Sequence, residues 1–229
     1  MGSVKFMENF PGIVSLFLVC VEFVLLINLF IFAEKNSVNK IIIGIVGLLL
    51  GYQSFEFVIC YFRVELNFIV YLAFVVISFL PPLLLNLVMT IRNDKALIRR
   101  IVFIPIMLLL FYFTLIISEF VVTRCTIMFA AYDIPLPDLY GFLYYSPVLI
   151  SIILLFKMIK SEEYQKQKTN LIILNTGMVL TFIPTWFIII LFPSLIEFVE
   201  SFLCKSASIM ALTLTVFAMR NKIERKDHE

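Results

Sequence analysis

One histidine, His228, and one tryptophan, Trp186, occur in 229 residues, and Lys, Arg, Asp and Glu together make up only 15% of the chain. With His228 in a charged tail, no imidazole is available to an interior metal site or to a Ser-His or Cys-His nucleophile. Four cysteines, Cys20, Cys60, Cys125 and Cys204, include no C-x-x-C pair and sit mostly inside apolar runs. They read as small apolar fillers rather than as zinc ligands or a disulfide framework. Also missing are an H-E-x-x-H sequence, a Walker loop, a glycine-rich nucleotide fingerprint and the paired aspartates of an intramembrane protease. These absences exclude most enzyme classes and nucleic acid as a partner, so no catalytic residue, metal or cofactor is expected. Near the start, Lys5 is followed by Glu8 and Pro11, and no small-residue cleavage site follows the first apolar run, which is therefore expected to stay in the mature protein.

What is present is hydrophobicity: 62% of residues are apolar and the mean hydropathy is +1.06, values expected of an integral membrane protein. Seven apolar segments can be marked, at about 11–33, 40–62, 66–91, 101–123, 139–159, 170–192 and 195–219, each near the length a bilayer requires. Their apolarity is continuous rather than alternating, which points to helices and excludes barrel strands. The expected fold is all-α, a single seven-transmembrane helix bundle over residues 1–229, multi-pass and placed in the plasma membrane.

The net charge of +2 conceals an ordering along the chain. Fourteen of the eighteen basic residues fall in alternate links: Lys35 and Lys40; Arg92, Lys95, Arg99 and Arg100; Lys157, Lys160, Lys166 and Lys168; and Arg220, Lys222, Arg225 and Lys226 in the tail. Lys5, Arg63 and Arg124 fall in the other set. The positive-inside rule then puts the N-terminus outside and the C-terminus in the cytoplasm.

Lys205 lies near the middle of the last apolar run, where an unpaired ammonium costs about 2.5 kcal/mol or more. It is expected to be paired with an acid: Glu200 or Glu197 on its own helix, or Glu56 or Glu22 on a neighbour. At about 100° per residue, Glu197, Ser201, Cys204, Ser208, Ala211 and Thr215 form a narrow small and polar stripe beside it. Glu56, Glu119, Glu197 and Glu200 share a similar depth and are expected to line an outward-facing acidic vestibule, the alternative being separate snorkelling to the headgroups. Gly44, Gly47 and Gly51 predict close helix packing in segment two. Pro81 and Pro82 predict a kinked segment three beside Ser78 and Asn86; Pro147 and Pro184 predict further kinks, with Trp186 just past the latter. Pro81, Pro82 and Pro184 are the candidate hinges. The stretch RCTIMFAAYDIPLPDL, from Arg124, is expected to cap the outer face, and KMIKSEEYQKQK, from Lys157, to anchor the topology or meet anionic lipid or protein.

Seven helices in this orientation, the FLPPLLLNL stretch from Phe79, the DLYGFLYY stretch opening segment five and the basic KMIKSEEYQKQK link together resemble the N-terminal seven-helix membrane region of some bacterial sensor histidine kinases, here without the kinase. That resemblance implies a receptor-like sensory module, binding a small or amphipathic ligand in an outward-facing cavity lined by helices two, three, six and seven. Its partners would be membrane lipid and a cytoplasmic or membrane signalling protein, with oligomerisation left open. One alternative is a small transporter or permease-like protein. Another rests on a similarity to microbial opsins, in which Lys205 would carry a retinal Schiff base, although segment three contains no carboxylate.

Overall fold

The computed structural model describes residues 12–64, 66–127, 130–191 and 196–226; on the last helix the described side chains are those of Leu203 and residues 205–221. The chain is a helical bundle. Helix α1 spans Ile13–Phe32 and α2 spans Ser37–Tyr61; α3 (Asn67–Ser78) and α4 (Leu80–Ile91) follow as one broken span, as do α5 (Ala96–Ile101) and α6 (Ile104–Thr114). A two-stranded hairpin, β1 (Val121–Cys125) and β2 (Ala130–Asp133), leads into α7 (Pro137–Lys160), α8 (Lys168–Leu191) and α9 (Ile196–Lys226). Among the described residues, six segments are long and apolar enough to cross a membrane, the two broken spans counting once each.

Large apolar side chains stand exposed along the outside of the bundle, Phe17 and Phe30 on α1, Leu108 and Phe111 on α6, and Phe142 on α7 among them, each more than three-fifths accessible. Such a belt is unstable in water and natural in hydrocarbon. This is an integral membrane protein with transmembrane helices.

Local chemistry accounts for the element boundaries. Asn36 caps α2, its side-chain oxygen accepting from the Asn39 N–H at 2.8 Å. Pro81 and Pro82 stand in the first turn of α4, where proline is tolerated because the first N–H groups have no intrahelical acceptor, and the preceding helix stops at Ser78. Pro105 and Pro137 open α6 and α7 in the same way. Pro147 and Pro184, by contrast, lie within α7 and α8, which run on through them without interruption.

Segment four departs from expectation. Its helix ends at Thr114 rather than near residue 123, and after a single 3-10 turn at Ile117–Glu119 the β-branched run Val121-Val122-Thr123 enters a strand paired antiparallel with Ala130–Asp133. Continuous apolarity does not distinguish a helix from a short strand, and here β-branching and cross-strand pairing decide the matter.

Two cores result. The larger joins α1, α2, α4, α7, α8 and α9 through residues such as Leu29, Ile45, Leu84, Leu155, Leu171 and Leu214. The smaller is aromatic, with Phe120 at its centre 5.2–5.4 Å from the rings of Tyr71, Phe74 and Phe113. It packs α3 and α6 beneath the hairpin.

The glycine expectation is also corrected. A Cβ at Gly44 or Gly47 would meet nothing within 4 Å, and one at Gly51 would make only ordinary contact with Val76. The close approach is instead at Gly177 of α8, where a Cβ would lie 2.8 Å from Thr213 Cβ of α9. Helical spacing shows that glycines share a face, but not that a neighbour occupies it. Gly177→Ala is accordingly expected to lower stability by about 1–3 kcal/mol through overpacking, whereas Gly44→Ala and Gly47→Ala are expected to be neutral or stabilising by up to about 1 kcal/mol. Thermal unfolding of the detergent-solubilised variants measures the difference.

Candidate functional site

A half-buried cation, Lys205, organises one end of the bundle. Lys205 extends from α9 toward α1 and α2, and its ammonium donates to Ser15 Oγ at 2.8 Å, Glu56 Oε1 at 2.9 Å and Gln53 Oε1 at 3.2 Å. Its three N–H donors are thereby matched by three acceptors. Ser15, Gln53 and Glu56 are at most 1% exposed. Gln53 and Glu56 are three residues apart on α2 and so share the face that meets α9.

Glu22 stands on α1 two turns beyond Ser15, on the same face. It is fully buried, and neither carboxylate oxygen has a hydrogen-bond partner among the described residues. Lys205 and Glu56 are the charged groups that act on it electrostatically. Two carboxyls and one ammonium make a cluster that is electrically neutral only when it holds one further proton.

The hairpin closes over this cluster. Glu56 Oε1 also accepts from the Ala130 N–H of β2 at 3.3 Å. One helical turn further along α2, Cys60 is joined to Cys125 at the end of β1 by a disulfide. Gly12, just ahead of α1, donates its N–H to Thr126 O at 2.9 Å and adopts a left-handed φ of 77°. A Cβ there would come within 3.2 Å of Cys60 Cβ, so the position suits glycine both sterically and conformationally. The reading of all four cysteines as fillers is thus wrong for Cys60 and Cys125. Their pairing is spread over 65 residues of sequence, and no local spacing rule could reveal it. Cys20 remains a free, exposed thiol.

Of the acids expected to serve Lys205, Glu56 takes the ion pair and Glu22 lies in the same buried cluster. Glu119 is exposed on the 3-10 turn. Glu197, Glu200 and Ser201 belong to α9, but their side chains lie outside the described residues. The ion pair is not at mid-bundle: Ser15 is the third residue of α1, and Glu56 is followed by only five residues of α2. At about 1.5 Å per residue the cluster lies within roughly two turns of the hairpin end. Nothing in the sequence singles out Ser15 or Gln53, because an isolated serine or glutamine in an apolar run looks like any tolerated polar residue.

The broken span meets the bundle interior nearby. Ser78 Oγ donates to Phe74 O at 2.6 Å and lies 3.3 Å from Tyr140 Oη. Next to it a cavity of about 30 Å³ is lined by residues including Leu80, Tyr144, Thr181, Leu203 and Ala207, space for only one or two waters. Thr181, in its wall, exchanges hydrogen bonds with Ser206, Ser206 Oγ donating to Thr181 O at 3.2 Å and Thr181 Oγ1 to Ser206 O at 3.4 Å, which tie α9 to α8. Asn86 is half-buried and offers its carbonyl to Thr90 Oγ1 at 2.6 Å. Trp186 packs edge-on against Tyr145, 6.0 Å between ring centres.

Comparison of the chain with protein-family models, with curated proteins and with solved structures finds no match in any of the three.

Removing Lys205 strands Glu56, so Lys205→Met is expected to cost about 3–5 kcal/mol, while Lys205→Met with Glu56→Gln should recover most of that loss. Equilibrium or thermal unfolding in detergent reads both. A single variant as stable as the wild type would mean that the pair contributes nothing to folding.

Proposed function

We propose that this chain is a receptor-like sensory module of the plasma membrane, crossing it seven times with the N-terminus outside. It takes a small or amphipathic ligand at its outer end and signals to a cytoplasmic or membrane partner. The observation that carries the proposal is the position of Lys205. It joins α1, α2 and, through Glu56, the hairpin at one end of the bundle, on a helix that continues unbroken to Arg220 at the other. A rearrangement at the ion pair therefore has a rigid path to the tail, where Arg220 Nε donates to Asn170 Oδ1 at the start of α8, 3.0 Å away. Rigid helices that shift as units are a common element of membrane switching.

Two independent features support the orientation. Fourteen of the eighteen basic residues lie in the links and tail assigned to the cytoplasm. The Cys60–Cys125 disulfide belongs to the opposite end, and disulfides persist in the oxidising exterior. A ligand larger than a water or two requires the 30 Å³ cavity to widen. The break at Phe79, with Pro81 and Pro82 after it, and Pro184 on the facing helix are the places where the walls can part.

Glu22 favours a second reading. A buried carboxyl without a partner, beside an ion pair, is the kind of group that carries protons in small transporters. The opsin-like alternative has less support, since Lys205 Nζ is engaged by three acceptors and the adjoining cavity is far smaller than a retinal.

In a background with Cys20 and Cys204 replaced by serine, a membrane-impermeant thiol reagent applied to intact cells is expected to label Asp133→Cys and leave Ser161→Cys untouched; labelling at 161 defeats the orientation. Spin labels at Ser161→Cys and Asn221→Cys in that background then test signalling. Adding Lys205→Met with Glu56→Gln should move their distance distribution by about 1–2 Å or more, the scale of helix displacements in switches. An unchanged distribution, together with proton flux into liposomes that Glu22→Gln abolishes, would replace the sensory reading with transport.

A further inference from the structure

The end of the bundle opposite the hairpin contains a much larger opening. A cavity of about 570 Å³ lies between the start of α2, the end of α4, the 3-10 link Glu162–Gln167 before α8 and the end of α9. We propose that it is a binding site for a phosphate-bearing anion, either the headgroup of an anionic phospholipid or a soluble phosphate compound. The proposal does not depend on the sensory reading or on the orientation.

Charge is the first reason. Among the described residues the cavity is lined by Arg99 and Lys166 and by no acidic side chain. The neighbouring Arg92 is already taken, in a 2.7 Å ion pair with Asp94. Arg99 has no such carboxylate among the described residues. Its Nη1 donates to Thr90 Oγ1 at 2.7 Å, which fixes the guanidinium plane, while its Nε is buried with no hydrogen-bond partner. A guanidinium held by a neutral hydroxyl and facing no carboxylate keeps its charge available for a charge-assisted contact with phosphate.

The second reason is the backbone. At the start of α2 the Asn39 and Lys40 N–H groups are satisfied by Asn36, through its side chain and its carbonyl respectively. Those of Ser37 and Val38, both in the cavity wall, have no intrahelical acceptor and face the positive end of the helix dipole. Asn93 and Asn221 add neutral donors, and Val38, Ile91 and Phe217 supply an apolar floor. The volume is in the range of ligand sites and far exceeds that of a single ion, so the occupant carries a polar or amphipathic body beyond its phosphate.

The test uses the full-length protein in a neutral detergent. The unfolding midpoint is followed as inorganic phosphate replaces chloride at constant ionic strength, and separately as short-chain phosphatidylglycerol replaces phosphatidylcholine in mixed micelles. A saturable rise is expected in at least one series. Arg99→Gln and Lys166→Gln should each weaken half-saturation about tenfold, the loss of one charge-assisted contact. Lys166 is exposed, so its replacement leaves folding intact; Lys157→Gln, a basic change outside the cavity, should leave the titration unaltered. Saturation by phosphate identifies a soluble ligand, and saturation by the lipid alone identifies a headgroup. A rise that never saturates, or one that Arg99→Gln, Lys166→Gln and Lys157→Gln affect equally, overturns the site.

Discussion

A charged amine placed among apolar helices must be met by acceptors, and the hairpin end of this bundle is arranged around that requirement. The partners of Lys205 come from α1 and α2, which fixes the rotation of three helices about their own axes. The cost of breaking such a pair is large because the surviving charge remains buried, although the pair itself adds little over a well-packed apolar substitute. Its value therefore lies in geometry. Only one register of α1, α2 and α9 brings Ser15, Gln53 and Glu56 to a single ammonium.

The hairpin depends on the same point. It is a two-stranded unit, marginal by itself, and among the described residues it is held by the Glu56 contact with Ala130, the disulfide to Cys60, and the Gly12 and Val14 N–H bonds to Thr126 O and Ile127 O. Phe120, fully buried just before β1, adds an apolar anchor among Tyr71, Phe74 and Phe113. A disulfide closing a loop of this length removes about 4 kcal/mol of freedom from the unfolded chain in the entropy model. The roof over the ion pair is thus covalently fixed while the helices below it retain breaks and a small void.

The two ends of the molecule differ in kind. The hairpin end is closed, with Lys205 matched by three acceptors. The basic end is open, with Arg99 short of a partner and a cavity large enough for a ligand. Continuous α9 connects the two, through Ala211, Leu214 and Ala218, all fully buried against its neighbours.

Much of the architecture is legible without coordinates. Runs of apolar residues near twenty long, separated by charged links, leave few options in a bilayer, where each backbone group must be bonded within its own segment. Six of the seven marked segments are close to helices or broken helices, and Pro81-Pro82 marks where one breaks. The fourth segment misled because apolarity says nothing of whether Val121 to Cys125 bonds along itself or across to Ala130. Lys205 and Glu56 stood out because buried charge is costly enough to be conspicuous in any apolar run. Which acid answered the lysine, that Ser15 and Gln53 joined it, that Cys60 found Cys125, and that Gly177 rather than Gly44 marks the tight contact were all decided by tertiary structure. The physical reason is common to them. Each depends on how a helix is rotated and what lies across from it, and periodicity along one chain specifies a face but not the neighbour that the face meets.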